Sequence, residues 1–232
     1  KVILDNKNEP VALEARSGKL IIGYNNYEYE RIKVVGNIRN KIFDGNLIAN
    51  DPNFDLTFNG LIDFSEKVKK YDFTANVEHA NLKALNFAKQ DNISIFKSIV
   101  RMNMNGSSYD DAYGNIRFAN TLYKNQNDEY YFKDFDISSR FDENDVRYIS
   151  INSTDIVEGS LSGKFVFRDI YKLLENSLGS IYTNFKPHDI ASNQFINFKF
   201  NIYNKIAEVF YPELKLGSNT YFEGRVESDA KK

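Results

Sequence analysis

Asp110-Asp111, and Asp134 with Asp136 in Lys133-Asp134-Phe135-Asp136-Ile137, are the carboxylate pairs whose spacing could support acid–base chemistry. Positions two apart on a strand share a face, so Asp134 and Asp136 could work as a glycosidase or phosphatase pair. A solvated strand face explains the same spacing more simply. Asp51-Pro52-Asn53-Phe54-Asp55 has the acidic spacing of a calcium loop. It lacks the glycine and the bidentate glutamate that such a loop needs, and reads as a turn before a strand. The chain has no cysteine, and its only histidines are His79 and His188. Thiol nucleophiles, disulfides, zinc ribbons and iron–sulfur sites are excluded, and a histidine metal cluster cannot be assembled. No phosphate-binding glycine loop, dinucleotide fingerprint, zincin helix or nucleophile elbow occurs. Tyr27, Tyr29, Tyr130 and Tyr131 could stack on bases. However, 30 Lys+Arg against 32 Asp+Glu give a net charge of −2, not the basic footprint of a nucleic-acid binder. The expectation is a non-enzyme with no catalytic residue, metal, cofactor or nucleic acid.

The elements around these residues are mainly strands. Apolar residues alternate with polar ones, the mark of a sheet with one buried face. Phe54, Leu56 and Phe58 share one parity, as do Phe73 and Val77, and Met102 and Met104. Phe118, Ile137 and Ile151 each belong to a further run, Phe165 ends another, and Phe198 and Phe200 open the last stretch. Turn signals separate these runs: Asn25-Asn26, Asp44-Gly45, Asn50-Asp51-Pro52-Asn53, Asp110-Asp111 and Asn125-Gln126-Asn127-Asp128. Strands recur every 10–20 residues without helical pattern between them, so the sheet is antiparallel or meandering. An apolar stripe formed by Ile170, Leu173, Leu174, Leu178 and Ile181 predicts one amphipathic helix over 168–184. Leu82 and Leu85 predict a short helical turn over 80–88. The 232 residues read as a single unit, with a possible sub-boundary near 185–193.

One helix cannot cover so many apolar strand positions. Seventeen residues span about 26 Å, and strands lie about 4.8 Å apart. The sheet must therefore close as a sandwich or leave its apolar face curled around something.

Several phrases together resemble the periplasmic repeat region of the TamB branch of the AsmA-like superfamily, as found in Bacteroidota. The first runs from Asp51-Pro52-Asn53-Phe54 to Phe64, followed by Tyr71-x-Phe73-x-Ala75. The second is Ala80-Asn81-Leu82-Lys83-Ala84-Leu85-Asn86-Phe87. Further on come Met104-Asn105-Gly106 through Ile116, Ile151-Asn152-Ser153-Thr154-Asp155, and Glu158-Gly159 through Phe165. The last is Phe198-Lys199-Phe200 with Phe210-Tyr211-Pro212-Glu213-Leu214-Lys215-Leu216.

The resemblance implies a long sheet curled into an apolar-lined trough, a taco-like β fold. In it the chain is a fragment of a longer, elongated periplasmic repeat protein. An N-terminal helix outside the fragment would hold that protein in the inner membrane. The implied role is a bridge between inner and outer membranes that conducts phospholipid across the periplasm and supports outer-membrane biogenesis. The groove lining would then be Phe54, Leu56, Phe58, Phe73, Val77, Met102 and Met104, continued by Phe118, Ile137, Ile151, Phe165, Phe198 and Phe200. An Omp85-type outer-membrane barrel is the implied partner, reached through regions outside the fragment. Two other readings stay open: a scaffold for outer-membrane β-barrel protein assembly and translocation, and a closed β-sandwich with a structural or adhesive role.

Overall fold

A computed structural model gives the fold and describes residues 2–4, 10–13, 20–88, 91–179, 186–211, 213–217 and 220–228. A separate two-stranded ladder joins β1 (Val2–Leu4) to β2 (Pro10–Leu13). The next strands are β3 (Leu20–Tyr24), β4 (Tyr27–Arg39), β5 (Ile42–Asp51), β6 (Phe54–Asp63), β7 (Lys69–Asn81) and β8 (Ser94–Gly106). They are followed by β9 (Tyr113–Asn125), β10 (Glu129–Phe141), β11 (Arg147–Asn152), β12 (Val157–Lys164), β13 (Phe195–Ile202) and β14 (Thr220–Glu227). From β3 to β14 these twelve strands form one antiparallel sheet in chain order. β13 pairs with β12 residue for residue, so the ladder runs on past 185–193. A 3₁₀ turn (Phe167–Asp169) leads into α1 (Ile170–Gly179), and α2 (Asn204–Phe210) lies between β13 and β14.

The main-sheet alternation predicted from the sequence is what forms, and its register aligns apolar residues in rows across the strands. One row reads Phe73, Met102, Ile116, Ile137, Ile151. It continues through Gly159 to Phe200 and Phe222. Among the described residues the other sheet is the two-stranded β1–β2 ladder, too small to close over twelve strands, so the closed sandwich is not the architecture adopted. The surface agrees. The chain exposes 15401 Å², whereas a compact globule of this mass would expose roughly 10,800 Å².

Two devices shape the sheet. The first is a line of bulges at one level, where the parity of the apolar face switches. Tyr27 and Tyr29 give way to Ile32 at Arg31, which has φ 53°. Val77 gives way to Ala80 past Glu78. Phe118 gives way to Thr121 at Asn120, with φ 52°, and Phe135 gives way to Phe132 across Lys133. Bulges add twist and bend a strand locally. The second device is glycine on the apolar face. A Cβ at Gly60 would stand 2.5 Å from the Phe73 Cα, and one at Gly114 would stand 2.9 Å from the Met104 Cα. Their φ values, 142° and 123°, suit glycine. The neighbouring backbone crowds the apolar face at these points, so the sheet bends towards that face, as glycine kinks do in curved sheets.

Three sequence expectations change. Asp44-Gly45 is not a turn: both lie inside β5, and the hairpin is made by Asn40 and Lys41 at φ 51° and 64°. Gly45 instead sits opposite Gly36 and Gly60, in line with the bend. Residues 80–88 form no helix beyond a single closed turn. β7 extends to Asn81, and 82–87 is a tight turn with one i→i−4 bond, Leu85 N–H to Asn81 O at 3.0 Å. Asn86 at φ 63° ends it, because a left-handed residue cannot continue a helix. The helix expected over 168–184 begins as the 3₁₀ turn and is regular only to Gly179; 180–185 lies outside the described residues.

Candidate functional site

The concave apolar face is the largest unusual feature, and it differs between its ends and its middle. At the bulged end it is covered. Leu85, 1% exposed, packs with Tyr29, Val77 and Ala80 beneath the 82–88 turn, and Phe54, Leu56 and Phe96 lie against this cluster. The turn is tied down from a distance: Asn25 Nδ2 donates to Leu85 O and Asn86 Nδ2 to Asn25 O, both at 3.0 Å. Farther along the same end, Ile206 and Val209 of α2 pack on Tyr130, Phe132 and Ile156. Lys205 Nζ anchors α2 by donating to Tyr131 O at 2.9 Å and to Asp155 Oδ2 at 3.1 Å.

Asp51 stiffens that end. Its Oδ1 accepts from Tyr27 OH at 2.5 Å and from Asn53 N–H at 2.8 Å, and its Oδ2 accepts from Glu30 N–H at 2.8 Å. Burial pushes the Asp51 carboxyl upward, but the donors from Tyr27, Glu30 and Asn53, with the charge of Arg31, outweigh it. The carboxyl is therefore held below its ordinary range.

The opposite end is closed over β8–β12 by a buried cation. Arg147, 4% exposed, projects from the apolar face of β11. Its Nη1 donates to Tyr109 O and its Nη2 to Ala112 O, each at 2.6 Å, and its Nε donates to Ser139 Oγ at 3.0 Å. The guanidinium also lies 4.8 Å from the Phe167 ring and 5.3 Å from the Phe141 ring. Burial lowers its pKa, against the pull of Asp110 and Asp111. It clamps the β8–β9 turn by its carbonyls. Asp111 in turn accepts from the Ser107 hydroxyl and from the backbone of Ser108 and Ser107, which together keep its carboxyl low against its burial.

Between these covered ends the apolar face stays half-exposed. Phe73, Met102, Ile137, Ile151 and Phe200 lie in one row. Met104 and Phe198 lie in the adjacent row of the same face, joined through Gly114, Ser139, Ile149 and Leu161. Rings touch along it: Phe58–Phe73 at 4.9 Å between centroids, Phe43–Phe58 at 5.7 Å and Phe118–Phe135 at 6.0 Å. All the residues named for the lining share this face except Phe165, which follows the end of β12 with its ring against Phe167 at 5.5 Å. Phe54, Leu56 and Val77 share the face but belong to the packed cluster under the 82–88 turn. Phe58 is buried as well.

The candidates Asp134 and Asp136 sit on the other face of β10, whereas Asp110 and Asp111 lie in the β8–β9 turn beside Arg147. Arg101 and Arg117 pair directly across β8 and β9, a repulsive arrangement. Asp134 at 2.7 Å and Asp136 at 3.6 Å neutralise Arg117. That gives the pair a structural task, the solvated strand face expected of it. His188 Nε2 meets Glu175 at 2.7 Å, and His79 lies within β7. Among the described residues no three His, Asp or Glu groups gather around a common ion position. No helix among the described residues is long and apolar enough to cross a membrane.

No family model, no curated protein and no solved structure matches this chain.

Sequence reasoning missed α2 and its contribution to the site. The signal was short: Ile206 and Val209 are three apart in a seven-residue segment. It read Phe135 and Ile149 as apolar strand positions but left them out of the lining, and it missed the clamp made by Arg147, which no local pattern marks.

Proposed function

We propose that this chain is a segment of an envelope-spanning bridge that shelters the acyl chains of phospholipids and conducts them across the periplasm. One observation carries the reading: the row from Phe73 to Phe200 is apolar and half-exposed in the middle of a single sheet, with no element covering it among the described residues. Twelve strands at about 4.8 Å spacing give a groove roughly 50 Å long, running across the strands. Burial worth about 0.8 kcal/mol per methylene would hold an acyl chain there, while the headgroup remains at the open side. The chemistry is transfer without covalent change, so no nucleophile is needed. An Omp85-type barrel at the outer membrane and an inner-membrane anchor would complete the bridge.

Mass spectrometry of organic extracts from the detergent-free protein tests this. Roughly stoichiometric phospholipid is expected, and Phe198→Asp, a half-buried position, should lose it while keeping the circular dichroism of the parent. A folded Phe198→Asp protein with undiminished lipid, or a parent with none, would remove the reading.

The assembly-scaffold reading keeps one supporting observation. The edge strand β14 is regular against β13, has no proline or bulge, and leaves Phe222 50% exposed. Its outer edge pairs with no further strand among the described residues, although Glu223, Arg225 and Glu227 give it charge. Proline substitutions along β14 that abolish barrel assembly but spare lipid content would favour the scaffold over the conduit.

A further inference from the structure

The trough has a side pocket that its general apolar character does not require. Under α2 lies a cavity of about 310 Å³, lined by Phe96, Phe118, Tyr123, Phe132, Ile206 and Val209, with Thr121, Phe135 and Ile156 completing the wall. This volume sits at the lower bound of small-ligand pockets. Phe118 and Phe135 belong both to this wall and to the open stretch of the trough. The pocket is thus a continuation of the trough, roofed by Ile206 and Val209. Its hydroxyls already have partners: Thr121 Oγ1 lies 2.8 Å from Ser98 Oγ, and Tyr123 OH donates to Asp91 Oδ2 at 3.1 Å. No charged side chain lines it. The nearby amine of Lys205 is held by Asp155 and by Tyr131 O.

We propose that this pocket takes the methyl end of one phospholipid acyl chain, with α2 as its roof. The inference rests on the proposed conduit and adds a defined docking place within it. A free fatty acid is disfavoured as occupant, because its carboxylate would enter a site with no available cation. A phospholipid instead leaves its headgroup and second chain outside, in the trough. α2 then stops the chain end at a fixed point, so this segment holds one tail in a set register rather than letting it slide along a featureless wall.

The chain contains no tryptophan, so one introduced indole reports a single place. Ile206→Trp puts the reporter in the roof and Phe73→Trp puts it in the open trough; Phe96→Trp is a second pocket reporter, and decides if Ile206→Trp does not fold. Each protein is incubated with phosphatidylethanolamine–phosphatidylglycerol vesicles whose acyl chains carry bromine near the methyl end, then separated from them. The pocket indole is expected to lose at least half its fluorescence. Bromine near the glycerol should quench it less than half as much. Quenching of Phe73→Trp with none at the pocket reporters overturns the pocket and leaves the conduit standing. No quenching at either place overturns both. Quenching of the pocket reporter by brominated stearate but not by the phospholipid overturns the choice of occupant.

Discussion

The ends and the middle of the same strands carry the same alternation and have different fates. At one end, Tyr29, Val77 and Ala80 are sealed by Leu85, and Tyr130 and Phe132 by α2. At the other, Arg147 ties the β8–β9 turn across β11. In the middle, Met102, Ile137 and Ile151 keep neighbours on their own sheet and, among the described residues, nothing above them. Alternation decides which face is apolar. Coverage is decided by turns and short helices that arrive from elsewhere. A groove is what remains when the covers fold over the ends only.

The contrast can be broken from the ends inward. Arg147→Met strands the carbonyls of Tyr109 and Ala112, and urea unfolding should show a loss of about 3–4 kcal/mol, two acceptors each losing a charged donor. An unchanged midpoint would mean the clamp does not hold that end. Leu85→Ala should cost about 3 kcal/mol, as a fully buried leucine does, and should bring in faster hydrogen exchange across the β3–β4 hairpin tied to it. Gly60→Ala tests the bend itself. Its positive φ and the contact with Phe73 predict a loss of about 2 kcal/mol, read as a lowered thermal midpoint.

Asp51 gives a pH signature. Its folded pKa is depressed, so its contribution is complete above the unfolded value of about 3.9 and is lost as pH falls through the folded one. Asp51→Asn is expected to lower stability at pH 7 by about 1.5 kcal/mol and to flatten the acid limb of the stability curve below about pH 4. An acid limb as steep as the parent's would place the sensitivity elsewhere. The smallest effect belongs to the middle: Met102→Ala should cost about 1 kcal/mol, less than half the cost of Leu85→Ala. Equal losses would mean that the middle is covered too, and would erase the distinction.

Much of the main sheet was legible residue by residue. Phe54–Phe58, Tyr71–Val77 and Phe198–Phe200 announced their strands because one face of each had to leave water. Other features were not legible for local reasons. Asp44-Gly45 carries a strong turn signal, yet the chain needed a glycine there to pass close to Gly36 and Gly60 across three strands. The 82–88 segment has helical spacing, yet Asn86 and its bonds to Asn25, sixty-one residues away, make it a plug.

The sequence by itself determined the mainly-β class, the antiparallel pairing and the identity of the apolar face, because a two-residue period forces side chains to opposite sides wherever a strand forms. Only the tertiary structure decided that the face bends rather than closes, that its ends are capped and its middle is not, and that a pocket lies beneath α2. Those outcomes depend on strand register, on bulges aligned from three separate strands, and on the meeting of segments far apart in the chain. No local pattern encodes them, because each is a property of packed neighbours rather than of the residue itself.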